Sequence, residues 1–128
     1  MPLIEDKIYS ILSTATSITD EVSTRIYPYT REQGSVLPAI TYDKVSTNTH
    51  ETKEAGSTID DYRIQFNVFA HTAREAARIS DLLRVVLDRF TDTDIVESTY
   101  NANTGDYQFD AKTYLDITDY SISLKRTP

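Results

Sequence analysis

Apolar residues recur at helical spacing at the start of the chain, where Ile4, Ile8, Ile11, Leu12 and Ala15 share one face. Pro2 suits a first-turn position, and Glu5 and Asp6 suit the positive end of the helix dipole. Thr14, Thr16, Ser17 and Thr19 then weaken the helix, and one further turn is expected near Asp20–Val22. Arg25–Tyr29 reads as a short extended piece at a sheet edge or strand end, because Pro28 cannot donate to a ladder. A loop with Gly34 spans Arg31–Leu37, Pro38 closes it, and Ala39–Ser46 alternates as a strand.

Thr47–Thr58 (TNTHETKEAGST) has no periodicity and almost no apolar residue, so it is expected to be a long connection. Ile59–Ala70 is the clearest strand: Tyr62, Ile64, Phe66, Val68 and Ala70 form one face, and Arg63, Gln65, Asn67 and Phe69 the other. The second helix opens on a capping box, Thr72-Ala-Arg-Glu75, and carries an apolar stripe of Ile79, Leu82, Leu83, Val86, Leu87 and Phe90. Opposite the stripe, Arg74, Arg78, Asp81, Arg84 and Asp88 are spaced for ion pairs, and Val85 falls on this polar side. Asp94–Tyr100 reads as a strand, Asn101–Asp106 as a turn that uses Gly105, and Thr113–Lys125 as the last strand. Tyr120, Ile122 and Leu124 alternate there, while Leu115 and Ile117 take the opposite parity. Either a bulge near Thr118–Asp119 shifts the phase, or both faces are partly buried. The order α-β-β-β-α-β-β predicts an α+β domain over residues 1–128, a mainly antiparallel four- to five-stranded sheet with two helices packed on one face.

Composition narrows what such a domain does. The 128 residues carry a net charge of −7, which works against casual contact with DNA or anionic membranes. From Asp88 to Asp119 eight acids (Asp88, Asp92, Asp94, Glu97, Asp106, Asp110, Asp116, Asp119) face only Arg89 and Lys112, and apolar residues interrupt them throughout. Nine Tyr against four Phe place many rings at a wet boundary or on a half-buried sheet. With no cysteine there is neither a disulfide framework nor thiolate chemistry. MPLIEDKIYS lacks the basic-then-apolar pattern of a signal peptide, and no apolar run approaches the ~20 residues of a membrane span, so a soluble product is expected.

Reactive constellations are scarce. His50 stands in HETKE, which departs from the zinc motif H-E-x-x-H because Glu54 replaces the second histidine. His50, Glu51 and Glu54 are therefore read as a solvated loop, and His71 as a packing or capping residue. Gly34, Gly56 and Gly105 are isolated, so no phosphate-cradling loop exists. Asn101-x-Asn103-x-Gly105 matches a calcium loop only loosely, with glycine one place early and no bidentate glutamate. Asp60 and Asp61 point to opposite faces of a strand and make a poor catalytic pair. No catalytic residue, metal ligand or cofactor is assigned; an architectural or binding protein fits better than an enzyme, with a small metal-dependent hydrolase as the distant alternative.

The segments TRIYPYTREQGSVLPAITYDKVS and DYRIQFNVFAHTAREAARISDLLRVVLDRF, joined by a polar stretch, are where the chain resembles a known family. RIYP at Arg25–Pro28 followed by LPAITY at Leu37–Tyr42, then YRIQFNVFAHTAREAARISDLL, is similar to bacteriophage tail completion proteins, the tail terminators of long-tailed phages. NTGDYQFD resembles the turn before the final strand in that family, longer and more polar here. The resemblance runs from about Tyr9 to Leu124. It implies a structural virion protein at the head-proximal end of the tail, assembled in the bacterial cytoplasm as a ring, typically of six subunits. The ring would end tube polymerisation and dock the head–tail connector, with DNA passing through and not specifically bound, and with no membrane involved. Its partners would be copies of itself, the tail tube protein and the connector; another neck protein is the nearer alternative role.

A ring needs two unlike, complementary patches on each subunit. Candidates are Arg25, Tyr29, Arg31, Glu32, His50, Glu51, Lys53 and Glu54 on one side, and Arg74, Arg78 and Val85, or the Asn101–Lys112 loop, on the other. Asp92, Asp94, Asp106 and Asp110 are candidates for an acidic channel lining that lets DNA slide.

Overall fold

The computed structural model describes residues 3–30, 36–51, 58–108 and 112–126. Helices α1 (Ile4–Thr14) and α2 (Thr16–Val22) lead into strands β1 (Ile26–Pro28), β2 (Ala39–Glu51) and β3 (Thr58–Ala70); helix α3 (Ala73–Leu87) and strands β4 (Ile95–Gln108) and β5 (Thr113–Arg126) follow. The strands form one sheet in the order β1-β2-β3-β5-β4. Its β2–β3, β3–β5 and β4–β5 pairings are antiparallel, but β1 lies parallel to β2, with Ile26 beside Ile40 and Pro28 beside Tyr42. The architecture is α+β as expected, with a mixed sheet and a third helix in addition.

The extra helix is α2. Its threonine-rich sequence has low helical propensity, yet Ile18 and Val22, one turn apart, are both fully buried. Packing therefore overrides propensity. Ala15 sits between α1 and α2 in an extended conformation, and Ser23 ends α2 with φ 56°.

All three helices pack on the same side of the sheet. Ile4, Ile8, Ile11 and Leu12 of α1, Ile18 and Val22 of α2, and Ala76, Ile79, Leu83 and Leu87 of α3 join one core with Ile40, Tyr42, Tyr62, Ile64, Phe66, Val68, Tyr120, Ile122 and Leu124. Aromatic rings run across its middle. Phe66 meets Tyr120 edge-on at 5.3 Å, Tyr120 meets Tyr100 at 5.7 Å, and Tyr42 lies 6.3 Å from Phe66. Burial pushes the Tyr42 phenol up to about 12, and pushes Tyr120 further in the same direction.

The strands are longer than the alternation suggests. Thr47–Glu51, expected in a loop, continues β2 and pairs with Thr58–Tyr62. Residues Ser46–Thr49 are exposed, so nothing selects apolar side chains there and the period-two signal vanishes while the backbone ladder persists. Likewise Asn101–Asp106 is strand, not turn: β4 runs on to Gln108, with Asn103 opposite Thr118 and Gly105 opposite Asp116. The phase problem in β5 resolves in favour of two partly buried faces. β5 pairs with β3 without a break from Tyr114 to Arg126, Leu115 is buried and Ile117 half-buried, and the register shifts fall in β4, between Ile95 and Glu97 and between Tyr100 and Ala102.

Helix α3 starts as the sequence indicates. Thr72 Oγ1 accepts from the Glu75 amide at 3.1 Å, while Glu75 Oε1 reaches back to the His71 amide at 3.2 Å. Of the ion pairs expected along α3, Arg84–Asp88 forms at 4.0 Å, and Arg78 reaches instead to Glu21 of α2.

Phe66→Ala empties the centre of the aromatic row and is expected to lower unfolding free energy by about 3–5 kcal/mol in urea denaturation. Val85→Ser, at a site 82% exposed, is expected to change it by no more than about 0.5 kcal/mol in the same measurement.

Candidate assembly surfaces

Among the described residues no group of three or more His, Cys, Asp or Glu side chains is arranged to hold a metal ion. His71 is exposed before α3. The side chains that carry specific geometry lie on surfaces.

The first surface is the β1 corner. Arg25 donates through Nε to the Pro38 carbonyl at 2.8 Å and through Nη2 to the Glu21 carbonyl at 3.5 Å, which ties α2 to the start of β2. Its guanidinium thus works within the subunit. Tyr29, in a left-handed conformation with φ 66°, donates its hydroxyl to Glu5 Oε2 at 2.9 Å, and Lys44 Nζ lies 3.8 Å from the same carboxylate. Burial opposes ionisation of Glu5, but its backbone amide, the Tyr29 hydroxyl and Lys44 outweigh burial and hold the carboxyl below its usual range. Tyr29 remains 47% exposed and so available to a partner. Arg31, Glu32, Lys53 and Glu54 lie outside the described residues, as do the side chains of His50 and Glu51, whose backbones end β2.

The second surface is the outer face of α3. Arg74, Arg78, Arg84 and Val85 are all exposed, as the helical spacing indicates. Arg84 stacks over the Tyr100 ring at 4.0 Å. Arg78 pairs with Glu21, which raises its pKa further. Beside these arginines runs an open groove of ≈ 450 Å³ whose floor holds Ser80, Asn103 and Asp116. There Ser80 Oγ and Thr118 Oγ1 lie 2.8 Å apart, and Asn103 Nδ2 donates to Asp116 and to Thr118 Oγ1. Asn103 enters this site because β4 stays paired beyond Asn101, a feature masked in the sequence by its turn-like composition.

The candidate channel acids divide. Asp92 and Asp94 grip one cation, Lys7 Nζ, at 2.6 and 3.0 Å, and Asp92 Oδ1 also accepts the amides of Asp94 and Ile95. Together they pin α1 to the connection between α3 and β4, and much of their charge is neutralised there. Asp106 is exposed and accepts the Tyr107 amide at 2.8 Å, and Asp110 lies outside the described residues. Sequence alone does not single out Lys7, because a lone lysine on a helix gives no sign of a distant carboxylate pair.

The sheet face away from the helices carries a mostly polar lattice. Asn67 Nδ2 donates to Thr41 Oγ1 at 3.1 Å and to Asp43 Oδ2 at 3.4 Å, Gln65 donates to Asn67 at 3.0 Å, and Arg63 pairs with Asp119 at 3.1 Å. Burial pushes the Asp43 carboxyl up, against the Asn67 hydrogen bond.

With this geometry in hand, the family described as "Tail completion protein gp17" matches residues 6–124. No curated protein matches the chain significantly. Among solved structures, a chain of the virion of a native gene transfer agent particle is similar in fold: TM-score 0.71 at 10% identity, covering 93% of this chain and 92% of that one.

The Lys7 clamp sets an acid limit. In the folded protein the Asp92 carboxyl is resisted by burial but held below its ordinary 3.8 by Lys7 and two amides. Its contribution is therefore present above the unfolded value and disappears as pH falls through the lower folded value. Lys7→Met is expected to cost on the order of 1 kcal/mol near neutral pH. In urea titrations across pH, the gap from the unsubstituted protein should close as Asp92 protonates.

Proposed function

Since the chain belongs to the tail completion protein gp17 family, and is thus a structural protein of a bacteriophage tail, we propose that it caps the head-proximal end of the tail tube. It does so as a ring that stops further addition of tube protein and offers its outer surface to the head–tail connector. The observation that carries this reading is the pairing of a braced subunit with two unlike exposed surfaces: Tyr29 and the outer end of β2 on one side, and the arginine-lined face of α3 with the end of β4 on the other. Unlike patches on one body are what a cyclic, head-to-tail assembly requires. The internal braces Arg25–Pro38, Lys7–Asp92 and Arg78–Glu21 support the same reading, because they hold both patches in fixed relation. The resemblance to a gene transfer agent virion chain supports a fold suited to this role.

Within the ring we place Arg74, Arg78 and Val85 against a neighbouring copy or the connector, and Asp106 toward solvent or the channel. Arg31, Glu32, Lys53, Glu54 and Asp110 are proposed for the same surfaces on sequence grounds.

The test mixes purified protein with tail tubes and, separately, with tail-less capsids, followed by negative-stain imaging and mass measurement. Rings on one end of the tubes are expected. Binding to capsids with none to tubes would overturn the capping role in favour of a head-side joining role. Arg74→Glu combined with Val85→Asp is expected to leave the urea midpoint almost unchanged and to weaken tube capping at least about tenfold, a loss of about 1.4 kcal/mol.

A further inference from the structure

Among the described residues, both outer edges of the sheet are half covered, and the open halves lie at opposite ends. On the β2 side, β1 pairs only with Ile40–Tyr42, which leaves the stretch toward Glu51, paired with β3 on its inner side, without a strand on its outer side among the described residues. On the β4 side, the connection after α3 covers the first half: the Arg89 amide donates to the Ser98 carbonyl at 2.7 Å, and the Tyr100 amide donates to Asp88 Oδ1 at 3.1 Å.

These bonds reveal which backbone groups point outward. In an antiparallel ladder, residues alternate between facing one neighbour strand and facing the other. Ser98 and Tyr100 turn their peptide groups away from β5 and stand opposite Ile122 and Tyr120. Positions of the same parity on β5, Thr118 and Asp116, oppose Asn103 and Gly105, which therefore also face outward. On β2, the Ile40 amide donates to Arg25 and the Tyr42 carbonyl accepts from Tyr29, so these residues face away from β3. They oppose Val68 and Phe66; the same parity on β3, Tyr62 and Asp60, opposes Thr47 and Thr49. The register shift between Lys44 and Ser46 keeps the two halves of β2 in this relation.

We infer that neighbouring copies join by strand addition, the Asn103–Gly105 edge of one copy hydrogen-bonding to the Thr47–Thr49 edge of the next. This rests on the ring proposed above and specifies how it closes. The two edges fit in two independent respects. Since each successive pair across the sheet from β2 to β4 is antiparallel, β2 and β4 run in opposite directions, and copies set side by side the same way up present an antiparallel pair. Side chains at both edges point to the helix side: Thr49 donates to Asp60 at 2.6 Å, and Asn103 reaches Thr118. Paired residues of one continuous sheet must share a face, and these do.

The offset between the open halves sets the tilt. Asn103 lies level with Phe66 of β3 and its proposed partner Thr49 level with Asp60, while Gly105 lies level with Val68 and its partner Thr47 level with Tyr62. At about 3.3 Å per residue, these levels are about 20 Å apart, while the four strands from β2 to β4 at about 4.8 Å span about 19 Å. Each copy thus steps about as far along the strands as across them. A closed ring then has its strands inclined by roughly 45° to its axis, close to the tilt of closed sheets.

The test is backbone amide exchange on the free subunit and on rings assembled with tail tubes. The amides of Thr47, Thr49, Asn103 and Gly105 are expected to slow at least about tenfold on assembly. Gly105→Pro removes one outward donor without touching the β4–β5 ladder. It is expected to abolish rings while the subunit stays folded by circular dichroism, whereas Gly105→Ala, which keeps the donor, assembles. Rings formed by Gly105→Pro, or rings in which these amides exchange as fast as in the free subunit, overturn edge pairing alone. If Gly105→Pro does not fold, exchange in the unsubstituted protein decides. If that protein forms no ring on tubes, the proposed function fails, and this inference with it.

Discussion

Among the described residues, helices cover the sheet on one side only, and the rest of the molecule follows from that constraint. On the covered side, strands supply Ile64, Phe66, Val68, Tyr120 and Ile122 to a dry core. On the other side the backbone is already satisfied by the ladders, so side chains must satisfy one another or meet water. The Thr41–Asn67–Asp43 cluster and the Arg63–Asp119 pair do so in part, each leaving one buried carboxylate oxygen unpartnered, at the price of a restricted sequence, since Asn67 must donate twice from one amide nitrogen. Phe69 and Ile117, half-buried, and Leu115, buried, lie on that face as well, which explains why β5 carries apolar residues of both parities.

That constraint also explains what was legible in the sequence. Elements that bury a stripe against the core announce themselves: α1, α3, Ile59–Ala70 and Tyr120–Leu124 all show their period. The capping box at Thr72 marks the start of α3 because it acts through local geometry. Strand stretches whose side chains meet water or polar partners stay silent. Thr47–Glu51 and Asn101–Gln108 look like loops because exposed strand residues need not be apolar, and Gly105 reads as a turn residue although it sits inside a strand. The α2 helix is hidden for the opposite reason, since its two core residues are outnumbered by threonines and acids.

The surfaces proposed for assembly are legible unevenly. Val85 and its neighbouring arginines emerge from the helical wheel, because one side of α3 is fully determined by the other. Arg25, Asp92 and Asp94 are recognisable as charged, but not as already engaged within the subunit. Their partners Pro38 and Lys7 are far away in sequence, and only the fold brings them together. In a structural protein this distinction matters more than in an enzyme, because a charge already paired inside the subunit contributes rigidity to an interface, while an unpaired one contributes recognition.

The ties of α1 and α2 to later elements have a consequence for synthesis. Lys7 and Asp94 are separated by 87 residues, and Glu21 and Arg78 by 57. At about 5–20 residues per second, the ribosome adds the intervening chain in roughly 4–17 s for the longer span. During that interval α1 and α2 can meet β1 and β2, through Tyr29–Glu5 and Arg25–Pro38, but not the connection before β4 that Lys7 grips. The fastening of α1 and α2 is thus completed only after α3 and the start of β4 have been made.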